Sequence, residues 1–372
     1  MGKAWAETLE ICLTTDNNMP LRFGFIGCGK IAERHAGLLS SGAIPGAILQ
    51  VVCDVNAARA TEFAARYGVR AYSDARAMAA SREVDALAIL TPSGLHAQNV
   101  EELAEFGKPL IVEKPIALTL EDADGMIAAC ARHGTRLFVV KQNRFNRPVI
   151  ALRAALEAGR FGRLVLGTVR VRWCRPQSYY DAATWRGTWR YDGGVLANQA
   201  SHHIDLLEWM LGEPESVSAM GTTALARIEA EDTAIATVRF RSGALGLIEA
   251  TTATRPKDLE GTLSVLGEKG SVVIGGFSAN ELATWNFAEL NAGDAEIFAT
   301  HGRNPEQPKL GYAHAAYYAH VVDCLREGRP ALVDGAEGRK SLALIVALYE
   351  SMATGQSVRV GTLAPHCRLG RE

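Results

Sequence analysis

Short apolar runs alternate with helical segments between Leu21 and about Val140. The predicted strands are Leu21–Ile26, Ile48–Cys53, Val69–Tyr72, Val84–Leu90, Pro109–Val112 and Leu137–Val140. The intervening segments repeat apolar residues every three to four positions, as in Ala57–Tyr67, Gly94–Phe106 and Leu120–His133, the last with Thr119 as its N-cap. Continuous apolar strands that alternate with helices indicate a parallel sheet covered on both faces, with a ligand site beyond the carboxyl ends of its strands.

The pattern changes after residue 141, where strands follow one another without helices between them. The predicted elements are helices at about Pro148–Ala158, Leu196–Leu211, Ala313–Arg326 and Gly338–Met352, and strands at Val165–Trp173, Ser216–Gly221, Thr233–Phe240, Ala244–Ala253, Leu263–Leu266 and Ser271–Ile274. Successive hairpin-like strands favour a mostly antiparallel, open sheet with one face to cover.

These patterns predict an α/β protein of two domains. Residues 1–20 form an N-terminal extension, residues 21–141 a doubly wound Rossmann domain, and residues 142–372 a second α/β domain. The last helices of the second domain are able to pack back on the first.

Composition narrows the class of protein. Of the 372 residues, 48% are hydrophobic and 22% are charged, as in globular domains, and the net charge of −2 argues against a nucleic-acid binder. The seven Cys residues form no C-x-x-C pair, so neither a zinc site nor a disulfide framework is indicated. The chain has no apolar stretch long enough for a membrane helix, and its N-terminus does not show the pattern of a secretory signal. Both observations predict a cytoplasmic protein without membrane contact.

A glycine-rich turn follows the first predicted strand directly. In Gly27-Cys28-Gly29-Lys30-Ile31-Ala32, Gly27 permits a tight turn, Gly29 lets backbone amides approach a pyrophosphate, and the following helix offers unpaired N–H groups. The second strand ends at Asp54, 22 positions after Ala32, where an acid can bind ribose hydroxyls. The sequence therefore predicts NAD as cofactor, with NADP left open by the nearby Arg59.

The ends of the fourth and fifth predicted strands carry further candidate site residues at the same edge of the sheet. Thr91 and Pro92 follow the fourth strand and His96 begins the next helix, so we assign them to the cofactor site, with capping or packing the favoured role of His96. The fifth strand ends in Glu113-Lys114-Pro115, and we assign Glu113 to the cofactor site as well. A desolvated Lys114 has a lowered pKa and can share a proton with a substrate hydroxyl.

Four ordered motifs resemble the Gfo/Idh/MocA family of glucose–fructose oxidoreductases and inositol dehydrogenases. They are Gly27–Ala32, Thr-Pro-Ser-Gly-Leu-His at 91–96, Glu113–Pro115, and Gly-Gly-Val-Leu-Ala-Asn-Gln-Ala-Ser-His-His-Ile-Asp at 193–205. The resemblance implies a Rossmann domain, a second α/β domain with a large open sheet, and NAD(P)-linked oxidation or reduction of a sugar or cyclitol hydroxyl. It also implies that residues 142–372 form the substrate-binding and oligomerisation domain, with a homodimer or homotetramer assembled through that sheet.

The resemblance places the family's catalytic Lys at Lys114 and its catalytic His at His202. The family usually has an Asp four residues before the His, but this chain has Asn198, which can neither accept a proton nor carry a charge. Lys114 and His202 then form the proton-handling pair: one accepts the proton of the hydroxyl, the other binds the developing oxyanion, and Asn198 orients the ring. His203 is expected to be structural.

The segment Asn198–His202, with Asn in place of the usual Asp, resembles one branch of the family, the UDP-N-acetylglucosaminuronate 3-dehydrogenases. Other segments that resemble this branch are 141–146, 175–180, 185–189 and 227–232. This implies oxidation of the sugar 3-hydroxyl in surface-polysaccharide synthesis. Alternatives are a dehydrogenase of an uncharged sugar or inositol and, in another class, a non-catalytic NAD-sensing regulator.

Local charge agrees with an anionic nucleotide sugar as substrate. The segment Arg136–Arg190 holds eleven Arg and one Lys against one Glu and one Asp. Arginine pairs bidentately with carboxylate and phosphate. Arg170 and Arg172 lie on one face of a predicted strand, where they can equally face solvent or another subunit. The substrate-binding candidates are therefore the arginines in loop-like positions after strands, Arg144, Arg175 and Arg186, together with Tyr179 and Asn198. Hydrolase and metal-protease motifs are absent from the sequence, and no metal is predicted.

Overall fold

The computed structural model describes residues 19–306 and 311–371, which form two sheets and the helices around them. The predicted N-terminal extension therefore lies almost entirely outside the described residues. Together the two sheets confirm the predicted α/β fold class.

The first sheet has six strands, all parallel, in the order β3-β2-β1-β4-β5-β6. The strands are β1 (Leu21–Ile26), β2 (Ala47–Cys53), β3 (Arg70–Tyr72), β4 (Ala86–Ile89), β5 (Leu110–Val112) and β6 (Leu137–Val139). All four residues of β4 and all three of β5 are buried, as expected for strands covered on both faces. The order reverses direction between β1 and β4, which opens a crevice at the carboxyl ends.

Five helices connect these strands. They are α1 (Lys30–Ser40), α2 (Ala57–Tyr67), α3 (Ala75–Ala80), α4 (His96–Leu103) and α5 (Leu120–His133). Thr119 caps α5, as predicted, by accepting a hydrogen bond from the Asp122 amide at 3.0 Å. Asn56 caps α2 in the same way, but α1 has no side-chain cap, so its first N–H groups are left for another acceptor.

The second sheet has eight strands in the order β13-β12-β11-β7-β10-β9-β8-β14. The strands are β7 (Leu164–Arg172), β8 (Pro214–Thr222), β9 (Thr233–Phe240), β10 (Leu245–Thr251), β11 (Glu260–Gly267), β12 (Gly270–Gly275), β13 (Glu281–Phe287) and β14 (Val358–Arg359). Among the described strand pairs of this second sheet only β7–β10 is parallel, so the predicted mostly antiparallel sheet is confirmed.

The remaining helices cover one face of this sheet or return to the first domain. They are α6 (Arg147–Glu157), α7 (Gln177–Asp181), α8 (Ser201–Leu211), α9 (Ile297–His301), α10 (Tyr312–Glu327) and α11 (Gly335–Thr354). Helices α8 and α11 pack on the sheet, whereas α10 packs on the Rossmann domain, where Tyr318 meets Phe23 edge to face at 5.5 Å. The opposite face of the sheet exposes Met220, Ile235, Leu245 and Leu247.

The helix predicted near Leu196–Leu211 is divided into two parts. Val195–Gln199 forms a π-helical turn, and α8 begins only at Ser201. A π turn accommodates one more residue than an α turn and often occurs at functional sites. This turn faces the end of β5, so it brings the 193–205 motif next to Lys114.

Candidate active site

A cleft of about 2060 Å³ runs along the carboxyl ends of the first sheet and continues beneath the second domain. One half, the cofactor half, is formed by the ends of β1, β2 and β4. The other, the substrate half, begins at Lys114 and is lined by Gln142, Asn198, His202 and the segment 173–186.

The glycine turn has the geometry that a dinucleotide needs. Gly27 has φ of +96°, and a Cβ there would lie 2.9 Å from the Leu90 carbonyl oxygen, so the position excludes side chains. Gly29, at the start of α1, would direct a Cβ into open space where no protein atom lies within 4 Å. The uncapped N-terminus of α1 and this space together fit a pyrophosphate. Lys30 and Ile31 line the same part of the cleft.

Asp54 lies at the end of β2, as predicted. Its carboxylate accepts hydrogen bonds from the backbone amides of Cys28 and Asn56, both at 2.9 Å, and Arg59 lies 3.6 Å away. These bonds orient the carboxylate at the end of β2 and leave lone pairs that can accept from the hydroxyls of a ribose.

Thr91 and Pro92 line the cofactor half, and His96 is buried behind them. The His96 ring nitrogens lie 2.9 Å from the Pro115 carbonyl and 3.1 Å from that of Thr91. Burial lowers the pKa of His96. The ring therefore ties the fourth and fifth strand ends together, in line with the packing role favoured by the sequence.

Glu113 is buried at the bottom of the cleft. It accepts a hydrogen bond from His35 at 2.9 Å and one from the Lys114 amide at 2.9 Å. Burial raises the pKa of Glu113, but His35 and Lys114 outweigh this and hold it well below its usual range. The polar atoms of His35, Glu113 and His314 lie within 4.8 Å of one another, but both ring nitrogens of His35 are already bonded, to Tyr318 and Glu113. This favours a hydrogen-bond network over an ion site.

Lys114 reaches across the cleft to the π turn. Its Nζ donates to the Asn198 carbonyl oxygen at 2.9 Å and to Asn198 Oδ1 at 3.2 Å. Burial lowers the pKa of Lys114, while the nearby carboxylates of Glu113 and Asp192 oppose that lowering. Asn198 is thus engaged with Lys114.

His202 lies one helical turn beyond Asn198 and is 8% exposed. Gln142 Nε2 lies 3.0 Å from His202 Nε2, so that nitrogen accepts and the ring proton is on Nδ1, which has no partner among the described residues. Burial and the neighbouring Lys114 and Lys141 hold the pKa of His202 well below its ordinary value. The imidazole is neutral, with a lone pair directed toward Gln142 in the cleft. His203 is fully buried against Trp173, as a structural residue would be.

Two of the predicted arginines line the substrate half. The Arg186 guanidinium lies over the rings of Tyr179, at 4.3 Å, and Trp185, at 4.8 Å, and its buried Nε has no hydrogen-bond partner in the described chain. Arg175 pairs with Asp258 at 3.0 Å and donates to Gln199 at 3.2 Å. Gln199 in turn donates to the Tyr179 hydroxyl at 3.0 Å.

Arg144 does not lie where the sequence predicted. Its side chain is 2% exposed, and it makes two 2.8 Å hydrogen bonds to the Asp205 carboxylate and one of 2.9 Å to Glu337. The short helical turn at Gln142–Phe145 directs this guanidinium into the interior, behind α8. Arg144 is therefore a buried ion-pair partner and is absent from the cleft lining.

The rest of the basic segment is largely neutralised. Arg170 and Arg172 lie on the open face of the second sheet and pair with Glu249 and Glu260. Arg153 and Arg160 pair with Glu157 and Asp294. Of the eleven arginines in the segment, all within the described residues, Arg175 and Arg186 alone line the cleft.

Sequence reasoning missed three side chains that build the site: Gln142, Asp192 and Glu231. Glu231 accepts a hydrogen bond from the Leu196 amide at 2.9 Å and one from Tyr349 at 2.9 Å, and so holds the π turn; burial raises its pKa to about 7. Gln142 and Glu231 lie inside segments that carried the branch resemblance, and Asp192 directly precedes the 193–205 motif. Their position within or directly beside those segments is the sequence feature that could have identified them.

No helix within residues 19–306 and 311–371 is long and apolar enough to cross a membrane.

Comparison with known proteins agrees with this geometry. The model for the oxidoreductase family with an NAD-binding Rossmann fold matches residues 21–141, and that for the family's C-terminal alpha/beta domain matches residues 153–360. The match to an NAD-binding fold confirms the predicted cofactor, NAD.

Solved structures and a curated relative extend across nearly the whole chain. The WlbA dehydrogenase of Bordetella pertussis, in complex with NADH and UDP-GlcNAcA, is 43% identical, with a TM-score of 0.88 over 93% of this chain and 99% of that chain. The WlbA dehydrogenase of Chromobacterium violaceum, with the same ligands, is 41% identical, with a TM-score of 0.86 over 95% and 99%. D-apiose dehydrogenase of Paraburkholderia graminis is 27% identical over 96% of this chain and 94% of its own length.

Proposed function

Because the chain belongs to the Gfo/Idh/MocA family of oxidoreductases, we propose that it oxidises the C3 hydroxyl of a UDP-N-acetyl-amino sugar uronate with NAD, in surface-polysaccharide biosynthesis. The observation that carries this proposal is the aromatic-flanked Arg186, whose buried Nε has no hydrogen-bond partner among the described residues, in the same cleft as Lys114 and His202. The likeness to two dehydrogenases solved with NADH and UDP-GlcNAcA supports it.

The substrate half suits an anion that also carries an aromatic ring. The Arg186 guanidinium is half-buried, and its buried Nε has no hydrogen-bond partner among the described residues, so it gains from a carboxylate or phosphate partner. The rings of Tyr179 and Trp185 lie beside it and can pack against a nucleobase. A nucleotide sugar acid provides both chemical groups in one molecule.

The hydrogen bonds assign different tasks to Lys114 and His202. Lys114 Nζ donates to two oxygens, and as an ammonium it has a third N–H for the oxygen that gains negative charge as the hydroxyl is oxidised. His202 is neutral and presents an accepting nitrogen, so it takes the hydroxyl proton once the substrate replaces Gln142. NAD, when bound, supplies the acceptor of the hydride.

The test is NADH formation by the purified protein. We expect turnover with UDP-GlcNAcA, and a much smaller kcat/KM with UDP-GlcNAc, which lacks the carboxylate. UDP alone should inhibit competitively, because it occupies the nucleotide part of the cleft. Equal turnover with free sugars and no inhibition by UDP would contradict the proposed substrate.

A second candidate is a dehydrogenase of an uncharged sugar. It is favoured by the D-apiose dehydrogenase relative and by the pairing of Arg175 with Asp258, which leaves that arginine less available for an anion. The same assay decides between the two candidates, since an uncharged substrate requires neither UDP nor a carboxylate.

We propose also that the protein is a cytoplasmic homodimer or homotetramer assembled through the open face of the second sheet. Leu245 and Leu247 are 48% and 41% exposed there, next to Ile235 on the neighbouring strand. Exposed apolar side chains grouped on one sheet face are typical of an interface. Light scattering of the wild type and of Leu247→Asp tests this: the variant should dissociate, and a monomeric wild type would contradict the proposal.

A further inference from the structure

One buried carboxylate in the active site has no task in the mechanism above. Asp192 is 2% exposed and lines the cleft just before the π turn. Its Oδ2 accepts a hydrogen bond from the Gly187 amide at 2.8 Å, and its Oδ1 accepts one from Asn198 Nδ2. Burying a carboxylate with so few donors costs free energy, so its presence next to Lys114 calls for an explanation.

Asn198 lies between this carboxylate and Lys114. Its amide nitrogen donates to Asp192, and this fixes the direction in which its Oδ1 points, toward Lys114 Nζ at 3.2 Å. A carboxylate accepts hydrogen bonds but cannot donate them, so the amide cannot reverse while Asp192 is ionised. The chain Asp192–Asn198–Lys114 therefore orients the ammonium group from one side.

We propose that Asp192 is a positioning residue for Lys114, acting through the Asn198 amide and as a counter-charge. The proposal rests on the role of Lys114 in the proposed function. It gives the lysine a second negative charge besides Glu113 in a site whose residue 198 is uncharged.

Three ionisable side chains face Asp192: Lys114, Arg186 and Tyr180. Burial raises the pKa of Asp192 to about 6, although Lys114 and Arg186 favour its ionised form. Above that pH the carboxylate is charged and holds Asn198, whereas below it the acid is neutral and can present a proton instead. The wild-type kcat should consequently fall as pH decreases through about 6.

The first experiment compares Asp192→Asn with Asp181→Asn, an exposed carboxylate eleven positions earlier that serves as the matched control. We expect kcat of D192N to fall about tenfold to a hundredfold, since general acid–base and oxyanion groups lose that much when misplaced. The KM should change less than threefold, and the decline of kcat near pH 6 should disappear. D181N should match the wild type in all three respects.

The second experiment moves the charge. In the double variant Asp192→Asn, Asn198→Asp, a carboxylate at residue 198 would contact Lys114 directly, so kcat should recover at least fivefold over D192N. Asn198→Asp alone sets two carboxylates against each other and should be less active than the double variant. No recovery of kcat in the double variant over D192N would contradict the proposed counter-charge, because the carboxylate would then be next to Lys114 without effect.

A third measurement needs no substrate, so it separates this proposal from the proposed function. Competitive acetylation followed by mass spectrometry gives the pH at which Lys114 loses its proton. Without the Asp192 charge this midpoint should move to lower pH by about one unit, and the double variant should restore it. An unchanged midpoint in D192N would overturn the proposal, whatever substrate the enzyme uses; a shifted midpoint with no turnover of UDP-sugars would overturn only the proposed function.

Discussion

The two halves of the cleft are built in different ways. The cofactor half depends on backbone geometry: a helix N-terminus, two glycines, and two amides that hold the Asp54 carboxylate. In the substrate half, side chains hold one another across long sequence distances, as Lys114 and Asn198 do over 84 positions. The first half is encoded locally and the second by tertiary contacts, so their responses to mutation should differ.

The largest effect on kcat is expected at Lys114, the side chain of the substrate half that contacts the reacting oxygen in the proposed mechanism. Lys114→Met removes the ammonium that stabilises the developing oxyanion, and kcat should fall about a thousandfold, within the range known for such groups. NAD affinity, measured by calorimetry, should change little, because the cofactor half is separate. Lys257→Met, at an exposed lysine, is the control. Turnover of K114M within about tenfold of the wild type would remove Lys114 from the mechanism.

Arg144 and Arg186 compare an arginine buried behind α8 with one that lines the substrate half. Arg144→Met leaves Asp205 buried without its main partner, which should lower the free energy of unfolding by about 3–5 kcal/mol in urea titrations. Arg186→Met removes a guanidinium that has no partner at Nε, so stability should hardly change while KM for an anionic substrate rises about tenfold to a hundredfold. The reverse outcome, a stable R144M with a raised KM, would restore Arg144 as a substrate ligand.

The two glycines test whether the cofactor half depends on its backbone. Gly27→Ala puts a Cβ against the Leu90 carbonyl at a positive φ, and should cost about 1–3 kcal/mol of stability. Gly29→Ala meets no protein atom, so the melting temperature should remain unchanged, whereas NAD affinity should fall about tenfold as the methyl group enters the pyrophosphate space. Unaltered NAD binding by G29A would mean that the cofactor does not approach the turn.

The smallest effect concerns the interior behind the substrate half. Burial, with Asp205 nearby, raises the pKa of Glu208 on α8 to about 8. A carboxyl with a raised folded-state pKa stabilises the fold at acidic pH and loses that contribution as pH rises through about 8. Glu208→Gln should match the wild type near pH 5 and become increasingly more stable toward pH 9 in thermal unfolding. The exposed Glu289→Gln is the control, and parallel pH curves for E208Q and wild type would contradict this assignment.

The contrast also explains what the sequence could predict. The order of strands, the Thr119 cap, Gly27, Gly29 and Asp54 follow from local spacing, and the motifs located Lys114 and His202. The direction of Arg144 could not be predicted, because it depends on Asp205 and Glu337, which lie 61 and 193 positions away. Asp192 was missed for a similar reason: its contact with Asn198 exists only because the π turn folds back on it.

The π turn also makes chain length a determinant of this chemistry. Such a turn is an α-helix with one residue inserted, and one residue corresponds to a rotation of about 100°. Deleting Ala197 would let an ordinary helix run into α8 and would rotate the Asn198 carbonyl away from Lys114, although every side chain discussed above would remain. A laboratory evolution experiment that allowed deletions as well as substitutions should therefore find this five-residue stretch intolerant of any change in length, even where it accepts changes of amino acid.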